Sequence, residues 1–202
     1  MNHNLTSVLL RQILSERKEE YLSFGELLKS LSNRGFAILL VVFTLPNCVP
    51  IPVPPGVSTI FSLPLLFLSL QMCFGLKAPW LPAWIERRTI PRTTLNALIE
   101  TATPRIEKLE TFLKPRMGFV TTQLGARLIG FAWLLFSISI AVPIPMTNFL
   151  PGLGILISSL GLLGRDGVIV IFGWFVGFLG IALTSAILLY GAKFIQSIFP
   201  WF

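Results

Sequence analysis

The 202-residue chain is 53% hydrophobic and only 12% charged, with a mean hydropathy of +0.78, whereas a soluble globular chain carries about 25% charged residues. That excludes an ordinary soluble domain and points to a membrane protein. The net charge of +7 fits cations flanking apolar segments, so no nucleic-acid partner is expected; Cys48 and Cys73 both lie in apolar stretches, which excludes a disulfide scaffold.

Residues 1–33 lack a basic stretch followed by an apolar core, so no cleavable signal peptide is expected. Leu5, Val8, Leu9 and Ile13 recur at near-helical spacing. Ser23-Phe24-Gly25-Glu26 has the form of a capping box ahead of Leu27, Leu28 and Leu31. Two short amphipathic helices are predicted, packed on the protein's own body or lying among lipid headgroups.

Residues 34–76 form a first membrane unit, an apolar run interrupted by Pro46, Pro50, Pro52, Pro54 and Pro55. Proline lacks the amide donor and clashes with the preceding turn, so no regular helix passes through that cluster. The piece from Phe36 to Leu45 would be about 15 Å long as a helix, half of the roughly 30 Å hydrocarbon core, and cannot span alone. The piece from Val57 to Phe74 is long enough to cross but contains Pro64, which should kink it.

Residues 77–126 differ in kind: charges and prolines divide them into short pieces. Leu95, Leu98 and Ile99, then Ile106, Leu109, Phe112 and Leu113, keep helical spacing with charges opposite, as expected for helices in the interface. Trp80 and Trp84 fit an aromatic belt.

Residues 127–167 form a second unit in register with the first. Arg34 and Arg127, and the segments Val49-Pro50-Ile51-Pro52 and Val142-Pro143-Ile144-Pro145, share a separation of 93 positions. Pro55-Gly56 and Pro151-Gly152, and Ser62 and Ser158, then follow at a separation of 96, which asks for a three-residue insertion. The pattern reads as an internal duplication. Residues 168–189 are an uninterrupted apolar stretch, about 33 Å as a helix and enough to span. Within it Gly173 and Gly177 form G-x-x-x-G with Gly180 beyond, which predicts a close helix contact, inside one subunit or at a homodimer seam. Residues 190–202 read as a tail. The expected fold is thus an all-α integral membrane protein of two Pro-broken or re-entrant repeats, interfacial amphipathic helices and a C-terminal transmembrane helix.

Residues 1–35 carry five Lys+Arg, residues 77–127 carry nine, and the remainder carries Arg165 and Lys193. The positive-inside bias puts the middle segment in the cytoplasm. If each broken unit enters and returns on one side, the N-terminus is cytoplasmic too and the C-terminus emerges opposite.

Convergent catalytic groups are nearly absent. The single histidine, His3, has no nucleophile beside it in the sequence, and all nine acids lie outside the long apolar runs. No enzyme activity, cofactor or metal is expected. Broken segments in corresponding positions of two repeats are instead the pattern of a transport site. The candidate residues are Pro50, Pro52, Gly56, Pro143, Pro145 and Gly152 at the breaks, and Asn47 and Asn148 flanking them, as backbone caps or substrate contacts. Arg34 and Arg127 are candidates as headgroup anchors or anion ligands, and Gln71 and Asp166 as further polar groups, Arg165-Asp166 reading first as a helix-end turn.

The succession Leu45-Pro46-Asn47, PIP, Pro-Gly, LPLLFLSLQM (Leu63 to Met72), PWLP (Pro79 to Pro82), a second PIP, Asn148 and GLLGRDG (Gly161 to Gly167) resembles the ExoD family from Phe24 to Leu189. These are bacterial membrane proteins named for exopolysaccharide synthesis. The resemblance implies an inner-membrane location and involvement in exopolysaccharide production; it supplies no reaction and no catalytic residues. Two functions follow as expectations. One is a small repeat-built transporter of an ion or an anionic or lipid-linked solute; the other is a non-transporting scaffold or regulator of exopolysaccharide machinery. Membrane lipids, that machinery and a second copy of the chain are the expected partners.

Overall fold

The computed structural model describes residues 21–48, 57–142 and 147–198, apart from positions 92, 95, 98, 99, 102, 105, 106 and 109–112. The predicted first helix around Leu5 to Ile13 and the prolines and glycine at the breaks, Pro50, Pro52, Gly56, Pro143 and Pro145, lie outside the described residues. So do Leu95, Leu98, Ile99, Ile106, Leu109 and Phe112 of the interfacial stripe.

Strand β1 (Tyr21–Ser23) leads into α1 (Phe24–Leu31). Here the capping box forms as read: Glu26 N–H donates to Ser23 Oγ at 3.2 Å and Ser23 N–H to Glu26 Oε2 at 3.3 Å. Helix α2 (Asn33–Thr44) tightens into a 3-10 turn at Leu45–Cys48, where Pro46 ends the regular ladder. Helix α3 (Val57–Cys73) carries Pro64 inside it, which deprives the Ile60 carbonyl of its usual donor. After the short α4 (Ala83–Glu86), β2 (Thr89–Pro91) pairs antiparallel with β1, Leu22 opposite Ile90. This three-residue ribbon and an isolated parallel bridge between Arg116 and Asp166 are the β pairings among the described residues, whose positions between 93 and 108 are helical.

A 3-10 turn (Gly118–Thr121) precedes α5 (Gln123–Ala141), which Thr122 caps by accepting from Gly125 N–H at 3.0 Å. Helices α6 (Phe149–Leu163) and α7 (Gly167–Ile198) complete the chain. Residue 33 is already helical, Arg127 lies one turn inside α5, and α7 runs past Leu189 through most of the expected tail.

The hairpins interlock: α2 packs on α6, α3 on α5, and α7 lies along α6. Trp133, Phe136, Phe36, Leu40, Leu68 and Ile155 fill the shared core. Helices α5 and the Gly167–Tyr190 part of α7 are long and apolar enough to cross a membrane, and α1 with Asn33–Cys48 makes a third candidate, bent by 116°. Phe172, Phe175, Phe178, Leu179 and Leu183 on α7 stay exposed. Such an apolar face is out of place in water and natural against lipid. The molecule is built as a membrane protein.

The G-x-x-x-G face of α7 is occupied within the chain. A Cβ built on Gly154 would lie 2.5 Å from Gly177 Cα, and one on Gly173 2.5 Å from Ser158 N. The two helices touch backbone to backbone.

Candidate functional site

Four chain segments distant in sequence meet where α2 and α5 begin and α3 and α6 end. They enclose a cleft of about 310 Å³. Arg34 from α2, Lys77 from beyond α3 and Arg165 from beyond α6 line it, with Ser30, Ser32 and Thr121 adding hydroxyls. None of the lining residues among those described is acidic. Three lining positions take left-handed backbone: Ser32 at φ 49°, Gly75 at φ 85° and Arg165 at φ 55°. Each turns the chain sharply just past a helix end. Glycine adopts this conformation freely, whereas serine and arginine do so at a cost of about 1–2 kcal/mol each. Strain of this kind persists where packing over-determines it, and it clusters at functional sites.

The predicted site residues separate into two ends of the bundle. Arg34 is 5% exposed at the cleft. Arg127, its counterpart in the predicted duplication, is exposed, and its guanidinium lies against Gly75, where a built Cβ would sit 2.7 Å from Nε. The two arginines therefore gather at one end, although equivalent sequence positions do not give them equivalent burial.

Asp166 is consumed by the fold. Its Oδ1 accepts from the N–H groups of Val168 and Ile169 at 3.1 and 3.4 Å, capping α7, and its Oδ2 accepts from Lys114 N–H at 3.0 Å. With Gly167 N–H donating to the Arg116 carbonyl at 2.9 Å, this fastens the middle segment to the α6–α7 turn. Gln71 is also engaged: its Nε2 donates to the Trp80 carbonyl at 2.9 Å and its Oε1 accepts from Trp80 N–H at 2.7 Å. That clamp folds the post-α3 chain back on the helix. Trp80 and Trp84 are both exposed at this end. Nearby Lys29 and Glu86 pair, joining α1 to α4.

Asn47 and Gly152 meet at the opposite end, a Cβ on Gly152 falling 3.5 Å from the Asn47 Cβ. Neither asparagine caps with its side chain. Asn148 stands at the start of α6 without a side-chain cap bond, its carbonyl accepting from Gly152 N–H at 3.0 Å. Asn47 is buried, and its Nδ2 has no partner among the described residues; the same holds for Thr44 Oγ1 and Ser159 Oγ. Each such group costs about 1–3 kcal/mol when left unpaired. The buried Ser158 hydroxyl is satisfied: Trp133 Nε1 donates to Ser158 Oγ, which donates to the Gly154 carbonyl, both at 2.6 Å.

Lys77, Ser32 and Gly75 are not singled out by sequence, whereas Arg165 reads with Asp166 as a polar candidate and first as a helix-end turn. The available signals were a glycine just past an apolar helix and an arginine in a helix-end turn.

Over residues 6–186 the chain matches the family described as "Exopolysaccharide synthesis, ExoD". The chain belongs to the ExoD family. It is 32% identical over 176 residues to Protein ExoD of Rhizobium meliloti (strain 1021), covering 85% of this chain and 72% of that one. An uncharacterized protein of Synechocystis sp. is 29% identical over 202 residues, covering 98% of this chain and 95% of its own. No solved structure matches this ExoD-family chain. The family links it to exopolysaccharide synthesis, and the cleft is where its charge and its strained backbone coincide.

Proposed function

We propose that this ExoD-family chain is a small transporter of the bacterial inner membrane, moving an anionic or lipid-linked solute in exopolysaccharide production, with no catalysis of its own. The observation that carries the reading is that two helical hairpins open toward a single basic cleft. Each hairpin is helix, proline-rich break, helix; α2 contacts α6 as α3 contacts α5, so exchanging the hairpins exchanges these contacts. That supports a duplication of the parallel kind, with both repeats entering from one side.

Helix α2 with its 3-10 turn, α3 and α6 are about 26, 26 and 22 Å long, each short of the roughly 30 Å core. With the cleft at one surface, the 3-10 turn at Leu45–Cys48 and the start of α6 then fall within membrane depth. Non-helical backbone persists there only where protein or water covers it, which is how transporters build their sites. The cleft end also carries the middle segment, with nine of the sixteen Lys+Arg counted over residues 77–127. The positive-inside bias makes that side cytoplasmic.

The test is flux. Purified protein in liposomes is expected to move labelled inorganic phosphate, chloride or a fluorescent phosphatidylglycerol across the bilayer. Inserted, folded protein that moves none of them would replace this reading with that of a scaffold or regulator.

A further inference from the structure

We infer that the seam between α2 and α6 is lined by water and is the route by which a polar solute passes between the cleft and the opposite end of the bundle. The inference rests on the transport reading and deepens it by naming the path, but its test needs no transport. Gly152 faces Asn47 near the start of α6, and Leu162, near its end, lines the cleft together with Arg34. Ser159 lies seven residues beyond Gly152 and three before Leu162, a spacing that sets all three on one side of the helix. Thr44 and Asn47 are three apart at the end of α2 and its 3-10 turn, and they share a side in the same way. These two stripes meet where α2 packs on α6. From Leu162 to Gly152 the stripe covers about 15 Å, half of the roughly 30 Å core.

The stripes carry polar groups that the fold does not use. Thr44 and Ser159 are fully buried and Asn47 is 6% exposed. Thr44 Oγ1, Ser159 Oγ and Asn47 Nδ2 have no hydrogen-bond partner among the described residues. A buried helical serine or threonine can satisfy itself by donating to the carbonyl four residues earlier. Ser69, Ser137, Ser158 and Thr184 do so, on the carbonyls of Leu65, Trp133, Gly154 and Gly180 at 2.6, 2.7, 2.6 and 3.0 Å. The corresponding α3–α5 seam is thus closed on itself, with Ser69 Oγ and Ser137 Oγ a further 3.5 Å from each other. In the α2–α6 seam two hydroxyls and an amide keep their capacity for a mobile partner. Neither α2 beyond Arg34 nor α6 contributes a charged residue, so the lining is neutral and offers donors and acceptors together. Water matches such a lining, and a row of groups to pair with is what lets it stand at membrane depth.

The experiment uses full-length protein carrying Cys48→Ala and Cys73→Ala, placed in nanodiscs so that both faces meet the solution. Ser159→Cys and Ser137→Cys are introduced separately. Both serines are fully buried, one in each seam, so static burial does not distinguish them. A membrane-impermeant trimethylammonium methanethiosulfonate is added, and the labelled fraction is followed by intact mass spectrometry. Ser159→Cys is expected to react roughly tenfold or more faster than Ser137→Cys, because only a thiolate that water reaches is modified. Protection of both would show a dry seam, and equal reactivity would show general opening of the bundle; either result overturns the proposal.

Thr44→Val supplies an independent reading that introduces no thiol. An unpaired hydroxyl in a dry seam is a liability whose removal by an isosteric methyl raises the unfolding midpoint, whereas a hydrated one gives no rise. A rise therefore counts against the proposal and its absence supports it. Fast labelling of Ser159→Cys in protein that moves none of the tested solutes would leave the hydrated seam standing and put the failure on the transport reading. A protected Ser159→Cys in protein that does move solute would overturn this route alone.

Discussion

Replacing Gly154 by alanine tests whether the α6–α7 seam holds the bundle together. A Cβ there would meet Gly177 Cα at 2.5 Å, Gly177 N at 2.7 Å and the Gly173 carbonyl oxygen at 2.9 Å. All three are backbone atoms, so no side chain can swing aside and the helices must part by about 1 Å. Forced overpacking of this kind costs about 1–3 kcal/mol. Alanine returns up to about 1 kcal/mol of helix propensity, which partly masks the clash. Gly152→Ala supplies the internal control, because it lies two residues earlier in the same helix and receives the same propensity gain. Its Cβ meets Cys48 Sγ at 3.4 Å and Asn47 Cβ at 3.5 Å, an ordinary contact. The difference between the two variants therefore isolates the seam at about 1–3 kcal/mol. It is read from equilibrium unfolding in mixed micelles at increasing denaturing detergent, followed by tryptophan fluorescence. Equal stability of the two variants would refute the argument that this contact is rigid.

Asp166→Ala should destabilise the same transition by about 2–3 kcal/mol, since it removes the α7 cap and the Lys114 N–H acceptor together. Asp166→Asn should lose roughly half as much, because its amide oxygen still serves one of the two sides. Arg34→Lys should reduce stability by about 1–3 kcal/mol and Arg127→Lys by less than about 0.5 kcal/mol, in line with burial of the first and exposure of the second; matching losses in the same unfolding assay would show that their environments are alike after all. A phosphatase reporter fused after Phe202 should be active on the periplasmic side, while a cytoplasm-dependent reporter at the same place should stay dark. The reverse pattern would invert the topology.

What the sequence disclosed depended on the range of the interaction involved. The Ser23–Glu26 box was legible because its bonds span three residues, and the Pro46 stop because proline acts on its own turn. The glycine pattern of α7 announced a close neighbour without naming it, since period alone cannot tell α6 from a second subunit. The β1–β2 ribbon gave no signal: three residues on each side are too few for alternation to show, and the pairing joins positions about seventy apart.

Arg34 and Arg127 show the limit of reading a duplication. They share a position in the count, yet α5 begins four residues before Arg127 whereas α2 begins one before Arg34, and Arg34 is buried while Arg127 is exposed. Lys77 and Arg165 joined the cleft only because left-handed turns at Gly75 and Arg165 bring the chain round, and no composition or periodicity carries that information.

Helix α7 holds a geometric surplus. Its 32 residues amount to about 48 Å of rod. Standing upright in a roughly 30 Å slab it would overshoot by about 18 Å, and even at a tilt of about 40°, the upper end of the usual range, its vertical extent is still near 37 Å. Leaning cannot hide the excess. Part of the rod must therefore stand outside the hydrocarbon, at one end or the other, as rigid helix instead of loop.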